Sequence, residues 1–125
     1  MQSNALTWTG RVLSAMPVLM LLMSGGMKIA QGPEIVEGFV KYGYEPNVIA
    51  PIGIFEIICA LLYAIPQTSV LGAILVAAYL GGASATHVAA GEPPVAPIVV
   101  AVLAWAGLGL RDPRLRALLP LVRKA

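Results

Sequence analysis

Apolar residues run along this chain in four long blocks, at residues 11–30, 48–65, 68–90 and 95–110, with Gly/Pro-rich breaks between them. From Ile57 to Thr86 there is no charged side chain. Each block approaches the roughly 20 residues that carry a helix across a bilayer. No period-two alternation supports a closed barrel, and a spanning segment has only helix as its other way of satisfying its backbone. The expected fold class is therefore all-α. The pattern predicts a polytopic membrane protein in which residues 1–125 form one compact four-transmembrane-helix bundle.

Two flanking stretches have patterns of their own. In "GPEIVEGFVKYGY", Pro33 suits a first helical position, and Ile35, Val36, Phe39 and Val40 then share a face opposite Glu34, Glu37 and Lys41. This predicts a short helix over 33–42 lying in the membrane interface, with Tyr42 and Tyr44 at headgroup level, and the 33–44 segment as a lid over the mouth of a cavity opening there. In "RDPRLRALLPLVRKA", Asp112 is a natural N-cap with Pro113 behind it. Leu115, Leu118 and Leu119 then form the apolar side of a basic amphipathic helix over 112–123, placed against anionic lipid.

Composition agrees with the pattern. Of 125 residues, 58% are hydrophobic and only 11% charged, and the mean hydropathy is +0.84. A soluble domain carries roughly 25% charged residues, so polar cover for a water-facing surface is missing. The single cysteine, Cys59, excludes an intrachain disulfide. The first block ends in "GMKIAQG", where Lys28 stands in place of the small residues of a cleavage site, so a retained anchor is expected.

The net charge of +2 matters less than its distribution. Arg11 precedes the first block, and Arg111, Arg114, Arg116, Arg123 and Lys124 follow the fourth. The 28–47 connection has Lys28 and Lys41 but also Glu34, Glu37 and Glu45, and the link before the fourth block has only Glu92. The positive-inside rule then puts both termini in the cytoplasm.

The polar residues inside the blocks carry the functional signal. Lys28 lies about one turn inside the outer end of the first helix, and His87, the only histidine, lies at a similar depth in the third. Glu56 falls roughly 12 Å below the outer end of the second helix at 1.5 Å per residue. Because successive helices reverse direction, the three converge in the outer half of the bundle. An acidic side chain near a helix centre costs about 2.5–3.5 kcal/mol on insertion scales, so Glu56 needs a partner, and Lys28 is long enough to reach it. Two readings stand side by side: a working ligand site, or a Lys28–Glu56 pair that only fixes helix packing. Ser84 shares a face with His87, while Tyr79 and Trp105 are candidates for a cavity floor. The candidate ligand-binding residues are thus Lys28, Glu56, His87, Ser84, Tyr79 and Trp105. Ala73, Ala77, Gly81 and Ala85 recur every four positions, which predicts that the third helix is the central, closely packed one.

The stretches "GGMKIA", "PIGIFEIICALLYAIPQTSVLGAILVAAYLGGASATHV" and "WAGLGLRDPRLRALLP" resemble the DoxX-like family of small four-helix membrane proteins. The resemblance is carried by Gly26–Lys28, Gly53–Glu56 and Gly81–His87 and runs from about residue 14 to 120. It implies four helices in the bacterial cytoplasmic (inner) membrane. Members of that family differ in activity, so what it implies is architecture more than chemistry.

Two function classes follow. One is a redox-associated membrane subunit that binds a quinone or another small lipophilic molecule between its helices. The other is a non-catalytic assembly or binding protein whose polar cluster recognises a partner protein, a second copy of itself or a lipid. A small exporter ranks behind both, since no inverted repeat is visible. No haem, flavin or metal signature and no nucleic-acid-binding face is present. The expected surroundings are a lipid bilayer.

Overall fold

The computed structural model describes residues 4–119 and 121–122, and all regular structure among them is helical. Helix α1 (Asn4–Ala30) is followed by the short α2 (Pro33–Lys41), then α3 (Ile49–Ala64), α4 (Ser69–Ala89), α5 (Val95–Arg111) and the four-residue α6 (Pro113–Arg116). A 3-10 turn, Pro46–Val48, leads into α3, and another, Pro66–Thr68, joins α3 to α4. Three segments are long and apolar enough to cross a membrane: Asn4–Ala30, Pro46–Ala64 and Pro66–Ala89. The 17-residue α5 is equally apolar in character but shorter, reaching about 25 Å at 1.5 Å per residue. The chain is a multi-pass helical membrane protein.

Helix α1 packs on α3 and α5, and α4 packs on the same two from the other side, so the four long helices close into a ring. Glycines set the closest approaches. A Cβ on Gly25 would stand 2.8 Å from the Gly53 carbonyl, and one on Gly10 would stand 2.8 Å from that of Gly107. The tightest single approach belongs to α4, where a Cβ on Gly72 would overlap the Tyr63 backbone of α3, but α1 makes the most extensive helix contacts and α4 the least extensive of the four, contrary to the expectation drawn from the small-residue strip. Its four-residue spacing explains the difference. Each step of four advances 400°, so the strip drifts about 40° per step and roughly 120° from position 73 to 85. Ala73 is fully buried, Ala77 half-buried, and Gly81 and Ala85 exposed.

Two further departures concern helix ends. Helix α1 begins at Asn4, before its apolar block, because hydropathy marks the lipid-facing stretch and not the helix start. Pro17 lies buried inside it, a position that membrane helices tolerate. At the other end the expected 112–123 helix shrinks to Pro113–Arg116, capped by Asp112, whose carboxylate accepts from the Arg114 N–H at 3.0 Å. Pro120 disfavours helical geometry at the residue before it. Pro120 itself and 123–125 fall outside the described residues.

Candidate functional site

Lys28 is the basic residue of the last turn of α1, and Glu56 sits midway along α3. The Gly25–Gly53 contact brings these helices together and places the two side chains opposite one another. Lys28 Nζ stands 2.8 Å from Glu56 Oε1, with side-chain exposures of 12% and 2%. Ser24, one turn before Lys28, completes the cluster. Its hydroxyl accepts from Lys28 Nζ at 2.5 Å and donates to Glu56 Oε1 at 3.3 Å. A nearly sealed carboxylate thus keeps its charge balanced by an ammonium that still reaches a cavity.

That cavity encloses about 400 Å³ and is lined by Lys28, Ile52, Tyr79, His87 and the small residues Ala78, Gly82 and Ala83 of α4, with Phe39, Tyr42 and Tyr44 over it. Gly82 has open space where a side chain would stand, so the small residues of α4 widen the cavity instead of closing the helices. The Lys28 ammonium lies 5.9 Å from the Phe39 ring centroid, within cation–π range. Tyr79 lies within electrostatic reach of Glu56 and also borders a second hollow with Pro51, Ile52 and Phe55.

The covering segment is held by two helix ends of the same design. After α2, Gly43 takes φ +92°, the Tyr44 N–H bonds to the Phe39 carbonyl at 3.0 Å and the Gly43 N–H to Val40 at 2.9 Å. After α4, Gly91 takes φ +77°, the Glu92 N–H bonds to the His87 carbonyl at 2.8 Å and the Gly91 N–H to Val88 at 3.0 Å. Both are Schellman closures, which favour glycine at the left-handed position. They turn Tyr42, Tyr44 and Glu92 toward each other: Tyr42 donates its hydroxyl hydrogen bond to Glu92, and Tyr44 bonds Thr86 at 2.8 Å. The bond to Glu92 raises the Tyr42 phenol above its ordinary value of 10.0, so it stays a donor at neutral pH.

His87 packs beside Tyr42, ring centroids 5.9 Å apart. Its Nδ1 lies 2.8 Å from the Ala83 carbonyl. A carbonyl only accepts, so Nδ1 carries the hydrogen and Nε2 is left for a ligand. Ser84 does not serve the imidazole; its hydroxyl donates to the Leu80 carbonyl at 2.8 Å. Trp105 lies elsewhere, in a groove with Leu110, Leu115 and Leu119. The structure therefore joins Lys28, Tyr79 and His87 around one cavity, with Glu56 directly behind Lys28, and leaves Ser84 and Trp105 outside it.

Sequence reasoning overlooked Ser24, Thr86 and Glu92 as members of the site; it expected the 33–44 segment over the cavity mouth, and Phe39, Tyr42 and Tyr44 of that segment do line the cavity. The Ser24–Lys28 spacing of four was a readable signal. The tyrosine–Glu92 and tyrosine–Thr86 pairs join residues far apart in sequence and had none.

The fold and its cavity define a small helical membrane protein with a part-polar chamber at one end of the bundle. The sequence profile of the DoxX-like family matches residues 12–107, and the chain belongs to that family. The match spans every cavity-lining residue and stops before Arg111. No curated protein and no solved structure matches the chain.

Proposed function

We propose that this protein binds a small, uncharged lipophilic molecule bearing carbonyl oxygens, a quinone being the chemical class that fits best, as a redox-associated membrane subunit. One observation carries the reading: Lys28, balanced by Glu56, borders a chamber of about 400 Å³ that also holds His87. Ligand cavities typically run about 300–1,000 Å³ with apolar walls and few polar groups. Because Glu56 offsets the ammonium, the chamber has no excess positive charge to select an anion. Two of the three Lys28 N–H groups are engaged by Ser24 and Glu56, which leaves one to donate to a carbonyl. His87 Nε2 accepts from a hydroxyl or, once protonated, donates to a carbonyl. The hollow past Tyr79 and Ile52 gives an apolar tail a path along α3.

In this reading all four long helices cross the membrane, α5 with its ends drawn toward the interfaces. The arginines after α5 hold both termini on the cytoplasmic side, and α2 covers the chamber from the opposite face.

The test is purification in mild detergent followed by solvent extraction and mass spectrometry. A near-stoichiometric quinone or similar lipophile is expected, with occupancy reduced at least fivefold in His87→Ala. A co-purifying protein with no lipophile overturns the reading in favour of an assembly role.

A further inference from the structure

At the end of the bundle away from Lys28, a second polar hollow of about 300 Å³ is lined by Arg11, Pro66, Ser69, Leu108, Arg111, Asp112 and Arg114. The three arginines come from the start of α1, the end of α5 and the start of α6. Asp112 is engaged by Arg114 through Nε at 3.0 Å and Nη2 at 2.7 Å, so one guanidinium is neutralised and two are in excess. Arg111 spends Nη2 on the Tyr63 carbonyl at 2.7 Å. Its Nε is buried with no partner among the described residues, a state that costs about 1–3 kcal/mol. Arg11 stacks on Trp8, its guanidinium 4.9 Å from the ring centroid. The start of α4 opens on the same hollow: Ser69 lines it, and Thr68 makes no side-chain cap.

The geometry points to a binding site for the phosphate of an anionic phospholipid in this hollow. Two uncompensated guanidiniums match a phosphate in charge, and their planar forks match its oxygens. A phosphate oxygen supplies the acceptor that Arg111 Nε lacks. The source is a lipid, not a soluble phosphate, because Trp8 stands 63% exposed beside Arg11. Tryptophan at a helix end marks headgroup depth, and basic hollows between membrane helices hold lipid headgroups.

The experiment uses the full chain in neutral detergent, offered equal phosphatidylglycerol and phosphatidylcholine, with retained lipid counted by native mass spectrometry. At least tenfold preference for phosphatidylglycerol is expected. Arg11→Gln should cut that preference threefold or more, and Arg11→Lys should restore most of it. An unchanged melting temperature in lipid-free micelles verifies that each variant is folded. Equal retention of the two lipids, or a preference unmoved by Arg11→Gln, overturns the proposal. So does displacement of phosphatidylglycerol by millimolar glycerol phosphate, which would assign the hollow to a soluble anion.

Discussion

Replacing Lys28 by methionine leaves the Glu56 carboxylate, 2% exposed, without its cation. At 2.8 Å and an effective dielectric of 20 the two charges attract by about 6 kcal/mol. Much of that is offset by the several kcal/mol needed to take each ion out of water. Breaking the pair from one side loses the attraction and keeps the cost of the remaining ion, so Lys28→Met should destabilise by about 3–5 kcal/mol. Glu56→Gln is milder, about 1–2 kcal/mol, because the ammonium keeps Ser24 and borders the cavity. The double variant removes both ions and should lose only about 1–2 kcal/mol, the worth of the hydrogen bonds. The coupling between the sites is then at least about 2 kcal/mol. Reversible unfolding in mixed dodecyl sulfate and mild-detergent micelles measures all four corners of this cycle. Coupling below about 0.5 kcal/mol would mean that the two residues are energetically independent, and the reasoning about a balanced ammonium at the cavity would fail.

Glycines separate packing from cavity on α4. A Cβ at position 72 overlaps the Tyr63 backbone while one at 81 meets nothing within 4 Å, so Gly72→Ala should cost about 3 kcal/mol or more and Gly81→Ala should stabilise by up to about 1 kcal/mol; equal melting shifts refute the assignment. The Asp112 carboxyl is held below its ordinary 3.8, first by the Arg114 side chain and also by its backbone N–H, against the opposing effect of burial. Its contribution, about 1 kcal/mol as a cap, is therefore full above pH 3.8 and lost as pH falls through the lowered value. The gap in melting temperature between the native chain and Asp112→Ala should hold steady from pH 7 to 5 and narrow only as pH falls below 3.8; a gap that widens on acidification contradicts this. For topology, a periplasm-active reporter fused after residue 125 should be silent and one inserted at Gly43 active; the reverse pattern inverts the proposed orientation.

Much of the architecture was legible because a bilayer imposes it. Apolar blocks of spanning length, Pro-led entries to α2 and α6, and Gly91 at the close of α4 are local signals that tertiary contacts do not override. The Lys28–Glu56 approach was legible too, since two charged residues at matched depth in apolar helices leave each other as the available partner. The cover over the chamber was legible from the unpartnered apolar face of 33–44, but the bonds that fasten it were not, because Tyr42–Glu92 and Tyr44–Thr86 depend on how α2 settles over the end of α4. The small-residue strip misled for a geometric reason: a period of four leaves the packed face within three turns. Trp105, a cavity-floor candidate with helix packing as its alternative, lies by its depth along α5 beside Leu115.

Under the proposed function a lipophile with carbonyl oxygens sits between Lys28 and His87 beneath α2. The most direct measurement is photolabelling of the intact protein in vesicles with a short-tailed azidoquinone, followed by peptide mapping of the adducts. Saturable labelling confined to the 39–44 and 78–87 segments is expected, competed by unlabelled quinone and reduced at least fivefold in His87→Ala. Labelling spread over the lipid-facing side chains of α1, such as Leu19 and Met23, and unaffected by competitor would contradict it.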